Sequence, residues 1–104
     1  MNEINSITID QVPKVIEIDP SCHSVYVRFK TTKIHRTISE PKPGAMMAID
    51  LDARGKVIGI ELIGVANFSI AAILRRLPPQ FRNLNLERTG FMPANACRSQ
   101  PIPA

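Results

Sequence analysis

The chain has 104 residues, 44% of them apolar, with no Trp, one Tyr and a net charge of +4. That is enough for one domain with a single aliphatic core, and too little for two. No apolar run approaches the roughly 20 residues a membrane helix needs, and Met1-Asn2-Glu3-Ile4-Asn5 lacks the basic and apolar regions of a signal peptide, so the expectation is a cytoplasmic protein with no membrane partner. Its two cysteines, Cys22 and Cys97, are then expected to be free thiols.

In chain order, Ile4, Ile7 and Ile9 form a weak period-two pattern, that of a short edge strand or an irregular segment. Val15-Ile16-Glu17-Ile18 reads as a strand stopped by Asp19-Pro20-Ser21, where Pro presets φ and Asp caps the turn. Ser24 to Lys30 alternates most clearly: Val25, Val27 and Phe29 point inward, Tyr26, Arg28 and Lys30 outward. Ile34 to Ile38 is β-branched and predicts a strand; Pro41-Lys42-Pro43-Gly44 predicts a loop.

The stretch from Ala45 to Ile63 predicts a hairpin. Ala45, Met47, Ile49 and Leu51 alternate with Met46, Ala48, Asp50 and Asp52. Asp52-Ala53-Arg54-Gly55 is the turn, with Gly55 supplying the positive φ. In the returning strand Ile58, Ile60 and Leu62 share one face; Val57, Gly59, Glu61 and Ile63 share the other. That second face is apolar except for Glu61, the pattern of a strand covered on both sides. A second subunit is a natural cover, which makes Val57, Gly59, Glu61 and Ile63 the candidate interface of a homo-oligomer.

After Gly64 the period changes. Ile70, Ile73, Leu74 and Leu77 form one helical stripe, with Asn67 or Ser69 as N-cap, Arg75 and Arg76 at the C-terminal end and Pro78-Pro79 as the stop. A helix over 68–76 is too short to stand alone and must dock on the sheet. A short strand is expected around Leu84-Asn85-Leu86-Glu87, and residues 92–104, with three prolines, form an extended tail. The whole is an α+β domain over 1–91, an antiparallel meander of about four strands with one C-terminal helix.

Four constellations carry chemistry. Asp50-x-Asp52-x-x-Gly55 begins like a calcium loop, but Val57 to Ile60, where later ligands belong, is a strand, so no metal is expected. Asp50 and Glu61 lie on neighbouring strands and one face. Paired carboxylates suit acid–base work or a small-molecule site, against the alternative that Glu61 is paired with Arg28 or Arg36. Cys22-His23, with only His35 and Cys97 to help, has no zinc-ligand spacing. Tyr26, Arg28 and Lys30 form an aromatic-plus-basic stripe of the kind that binds single-stranded nucleic acid, though one ring is a thin stacking platform. The leading expectation is a protein with no catalytic residues and no cofactor, acting through partners: its own copies or a cognate protein, with nucleic acid as a less favoured alternative.

Asp19, the pair Tyr26-Val27, and the run Ile49-Asp50-Leu51-Asp52 … Gly55-Lys56-Val57-Ile58-Gly59-Ile60-Glu61-Leu62 resemble the small bacterial family called domain of unknown function 2283. The resemblance covers about residues 15–63, and Gly59-Ile60-Glu61 is its most specific part. It implies a compact antiparallel sheet with a following helix and no assigned catalysis; some relatives are suspected antitoxin-like partners of small toxins. Many members carry a second acid where this chain has His23, so a function needing both acids, such as metal binding, is not implied here.

Overall fold

A computed structural model describes residues 12–42, 45–81 and 84–93. Among the described residues the strands are β1 (Val15–Asp19), β2 (Ser24–Arg28), β3 (Arg36–Lys42), β4 (Ala45–Leu51), β5 (Val57–Ile63) and β6 (Gly90–Pro93), and the α-helix is α1 (Ile70–Arg76). They form a single six-stranded sheet in the order β3-β4-β5-β2-β1-β6. All neighbours are antiparallel except β6, which runs parallel to β1. The α+β class holds; the four-strand meander is corrected to a mixed sheet of six strands.

The turns form where side chains supply the missing hydrogen bonds. Asp52 Oδ1 accepts from the N–H groups of Arg54 and Lys56, both at 2.9 Å, and Gly55 takes φ 78°. Between β1 and β2, Asp19 Oδ1 accepts from Ser21 Oγ at 2.6 Å and from Cys22 N at 3.3 Å, closing the 3₁₀ turn Pro20–Cys22. Both turns follow the Asx chemistry of their sequence.

Where elements are shifted, a local reason can be given. Pro41 and Lys42, expected in a loop, belong to β3; Pro is tolerated because β3 is an edge strand. α1 is two turns long, starting after its cap Ser69, whose Oγ accepts from Ala72 N. It stops at Leu77, which is extended (ψ 154°), as a residue before proline prefers. The expected strand at Leu84–Glu87 is a turn instead: Asn85 Oδ1 accepts from Glu87 N, and Thr89 N donates to Leu86 O. The strand comes later, as β6, and takes in Met92 and Pro93, which were expected in the tail. The expected strand near Ile4–Ile9, and the tail beyond Pro93, lie outside the described residues.

Register aligns side chains into rows across the sheet. On one face Phe91, Ile16, Val27, Ile60, Ile49 and Ile38 follow one another from β6 to β3. Ile73, Leu77 and Phe81 join this row in the core, and each is 1% exposed or less. Arg76 pins the end of α1 to the end of β5, donating to the carbonyls of Ile63 (2.9 Å) and Gly64 (3.2 Å).

Two expectations are corrected at this level. A bulge in β5 opposite Asp50 and Leu51 moves Val57 onto the apolar face, where it pairs with Leu51 and is buried in the core. Val57 and Gly59 therefore do not share a face. Cys22 is not a free thiol but part of a disulfide.

Candidate functional site

The face of the sheet opposite the apolar row carries the charged and hydroxyl side chains. Two adjacent rows build it. Met92, Glu17, Tyr26, Glu61, Ala48 and Ser39 form the first; Gly90, Val15, Arg28, Gly59, Asp50 and Thr37 form the second. Period two brings these residues to one face, and the hairpin register sets Asp50 diagonal to Glu61.

Tyr26 is the centre of this layer. It lies opposite Glu61, yet its hydroxyl reaches the next row and donates to Asp50 Oδ2 at 2.7 Å. The ring can lie down on the sheet because Gly59 has no side chain. A Cβ built on Gly59 would fall on Cζ and the hydroxyl oxygen of Tyr26. Thr37 Oγ1 donates to the other oxygen, Asp50 Oδ1, at 2.6 Å. Arg28 closes the layer from above: its guanidinium carbon sits 4.8 Å from the ring centroid, and its Nε donates to Glu17 Oε2 at 3.0 Å. Tyr26 is left 4% exposed.

This geometry answers the sequence expectations one at a time. Tyr26, Arg28 and Lys30 do lie on the side away from the apolar core, but not as an open stripe. The ring of Tyr26 is covered, Arg28 is paired with Glu17, and Lys30 Nζ binds Asp52 Oδ2 at 2.7 Å. A stacking platform needs an open ring face, which Tyr26 does not present. Gly59, expected at a subunit interface, lies beneath the chain's own Tyr26. Of the four residues proposed for that interface, Glu61 and Ile63 are half-buried on the polar face, and Val57 is in the core. Asp50 and Glu61 do share a face, as expected. Both oxygens of Asp50 accept hydroxyl hydrogen bonds, and Arg28, weighed as the partner of Glu61, pairs with Glu17 instead.

The turn contains a group with a strong electrostatic bias. Asp52 is held well below its ordinary value, to about 2, first by the hydrogen bond from Lys30 and then by the N–H of Lys56. Its carboxylate organises the turn from β4 into β5. Among the described residues no three His, Cys, Asp or Glu side chains come together as a metal site. A shallow cleft of about 290 Å³ lies beside α1, lined by Val65, Ala66, Asn67, Ala72, Arg75 and Arg76, and neither Asp50 nor Glu61 contributes to it. Among the described residues no helix is long and apolar enough to cross a membrane.

Sequence reasoning missed three parts of this site. It missed Thr37 as a ligand of Asp50, the fold of Tyr26 over Gly59, and the link from Arg76 to β5. Only the second left a readable sign: an isolated glycine inside a strand marks a close approach. Scanned against protein-family models, curated proteins and solved structures, the chain matches none of them.

Proposed function

We propose that this chain is a non-enzymatic interaction domain that works as a homo-oligomer, and that β6 is the element through which copies meet. The observation that carries this reading is the contrast between the two edges of the sheet. β3 carries Arg36 and Glu40, charged residues of the kind that discourage edge-to-edge pairing. β6 carries Phe91 and Met92, each 45% exposed, and no charge. Two copies can pair along such an edge with no like charges opposed, in the self-complementary manner of a two-fold dimer.

An antitoxin-like role, in which the oligomer holds a cognate protein, is part of this proposal. The readings as a nucleic-acid module or as a small-molecule site have no comparable support: the Tyr26 ring is covered, and Asp50 is satisfied by Tyr26 and Thr37.

Light scattering at micromolar concentration tests the proposal. The wild type is expected at twice the 11.5 kDa chain mass or more, and Phe91→Lys with Met92→Lys at the mass of one chain. A wild-type monomer, or an oligomer unchanged by the two lysines, would refute it.

A further inference from the structure

We infer that the cleft beside α1 seats a carboxylate carried by an acidic segment of a partner protein, gripped by Arg75 and Arg76. The inference rests on the interaction-domain reading for the occupant being a protein, and on the cleft itself for the chemistry.

Two adjacent arginines at the end of a helix are ordinarily a solvated pair. Here Arg76 turns back onto the sheet. Its Nη2 donates to Ile63 O at 2.9 Å and its Nη1 to Gly64 O at 3.2 Å. Carbonyls fix a guanidinium in place without neutralising it, and three of its five N–H groups remain. Arg76 is half-buried, and among the described residues neither it nor Arg75 is paired with an acid. No carboxylate among those residues lines the cleft. A guanidinium already held in one geometry binds an oxyanion with less loss of side-chain freedom than a mobile one.

The other walls point to the same chemistry. Arg75 is exposed and lines the cleft beside Arg76. Asn67 commits its Oδ1 to Ser69 N at 3.0 Å, so its amide nitrogen is the donor it has to offer. The polar side chains of the cleft thus present N–H groups, which suits an oxyanion. Between them lie Val65, Ala66 and Ala72, which are small and apolar. Val65 is 2% exposed and its N–H donates to His23 O at 2.8 Å, so this floor is fixed to the core.

Shape selects the occupant. A small-molecule site encloses roughly 70–90% of its ligand. A shallow cleft of about 290 Å³ suits instead a side chain whose carrier stays outside. Nucleic acid matches poorly: proteins that hold its backbone commonly make about 6–10 phosphate contacts, and two guanidiniums fall short of that. The floor also has no aromatic ring for a base. A Glu or Asp flanked by aliphatic residues fits both parts, its carboxylate on the arginines and a neighbouring aliphatic group over Val65 and the two alanines. Arg76 is anchored at the end of β5, which lies three strand positions, about 14 Å, from β6. Copies paired along β6 therefore leave the cleft open to a partner.

The test titrates the isotope-labelled full-length chain with the capped peptide acetyl-Leu-Glu-Glu-Leu-amide, with its Gln-for-Glu twin, and with an oligothymidylate, following amide signals by NMR. The acidic peptide is expected to move the signals of 65–67 and 72–76 with a Kd of about 0.1–1 mM at low salt. The Gln peptide, and the acidic peptide on Arg75→Glu, are expected to bind about tenfold more weakly or worse. Arg76→Lys keeps the charge and loses the planar fork, and should weaken binding by about threefold or more while the signals of β4 and β5 stay in place. Equal binding of the two peptides, undiminished binding by Arg75→Glu, unmoved cleft signals, or an oligothymidylate bound as tightly as the acidic peptide would overturn the inference. Light scattering separates it from the β6 assembly. Peptide binding by a chain of one-chain mass keeps the cleft and removes the assembly; a larger mass without peptide binding does the reverse. A wild-type oligomer that falls to one chain in Arg75→Glu would make a second copy the occupant, and would also overturn it.

Discussion

The two faces of this sheet are built on different physics. On one, Ile16, Val27, Ile60 and Ile49 stand in a single row, each 1% exposed or less, and α1 closes over them. Their stabilisation is non-directional and grows with the apolar area removed from water. On the other, Tyr26 is about as well buried, at 4%, but by direction rather than by bulk. Its ring needs the empty space above Gly59, its hydroxyl needs Asp50, and its upper surface needs Arg28 held by Glu17. Alternation along a strand says which side a residue faces. It does not say whether that side is open.

Substitutions in the two rows should therefore fail differently. The largest loss is expected from Ile60→Ala in the apolar row, about 3–4 kcal/mol by denaturant unfolding, since a fully buried central residue leaves a cavity that α1 cannot fill. Tyr26→Phe keeps the ring and removes one hydroxyl bond to Asp50, leaving Thr37 as donor. Its expected cost is about 1–2 kcal/mol by the same measurement. A cost near zero would mean that the hydroxyl contributes nothing to the layer.

The smallest effect sits in the turn and depends on pH. Asp52 titrates at about 2 in the folded chain against its ordinary 3.8 when unfolded. Between these values the unfolded chain binds more protons, so the stabilisation is complete above about pH 4 and is lost as pH falls through 2. Asp52→Asn removes this dependence. The gap in thermal midpoint between wild type and variant should narrow steadily from pH 5 to pH 2; a gap that stays constant would show that Lys30 and the turn amides do not bias the carboxylate.

Much of the frame was legible from residues alone. Alternation located β1, β2, β4 and β5 within a residue or two, and Asp52 and Gly55 located the turn. Ser69 and Pro78 bounded the helix, because capping and proline act locally. What was not legible depended on residues far apart in sequence. β6 is four residues, two of them Gly and Pro, and becomes a strand only because β1 offers a parallel edge. The bulge that returns Val57 to the core is a property of the β4–β5 pair, invisible in either strand alone. For the polar layer, the residue types were noticed but their closure was not, since Tyr26 and Asp50 are 24 positions apart and the glycine beneath them is on a third strand. Cys22 was misjudged because nothing local to it in the sequence marks its disulfide.

The central claim is that the polar face is an internally closed structural layer, with Gly59 kept empty for Tyr26. The most direct measurement is a double-mutant cycle on these two positions, Gly59→Ala in the wild type and in Tyr26→Ala, followed by denaturant unfolding. In the wild type the new methyl must displace the ring and is expected to cost about 2–3 kcal/mol. Once the ring is gone, the same methyl is expected to cost less than about 0.5 kcal/mol, since alanine tends to be no worse than glycine within a strand. Equal costs in both backgrounds would contradict the account, because Gly59 would then answer to something other than Tyr26.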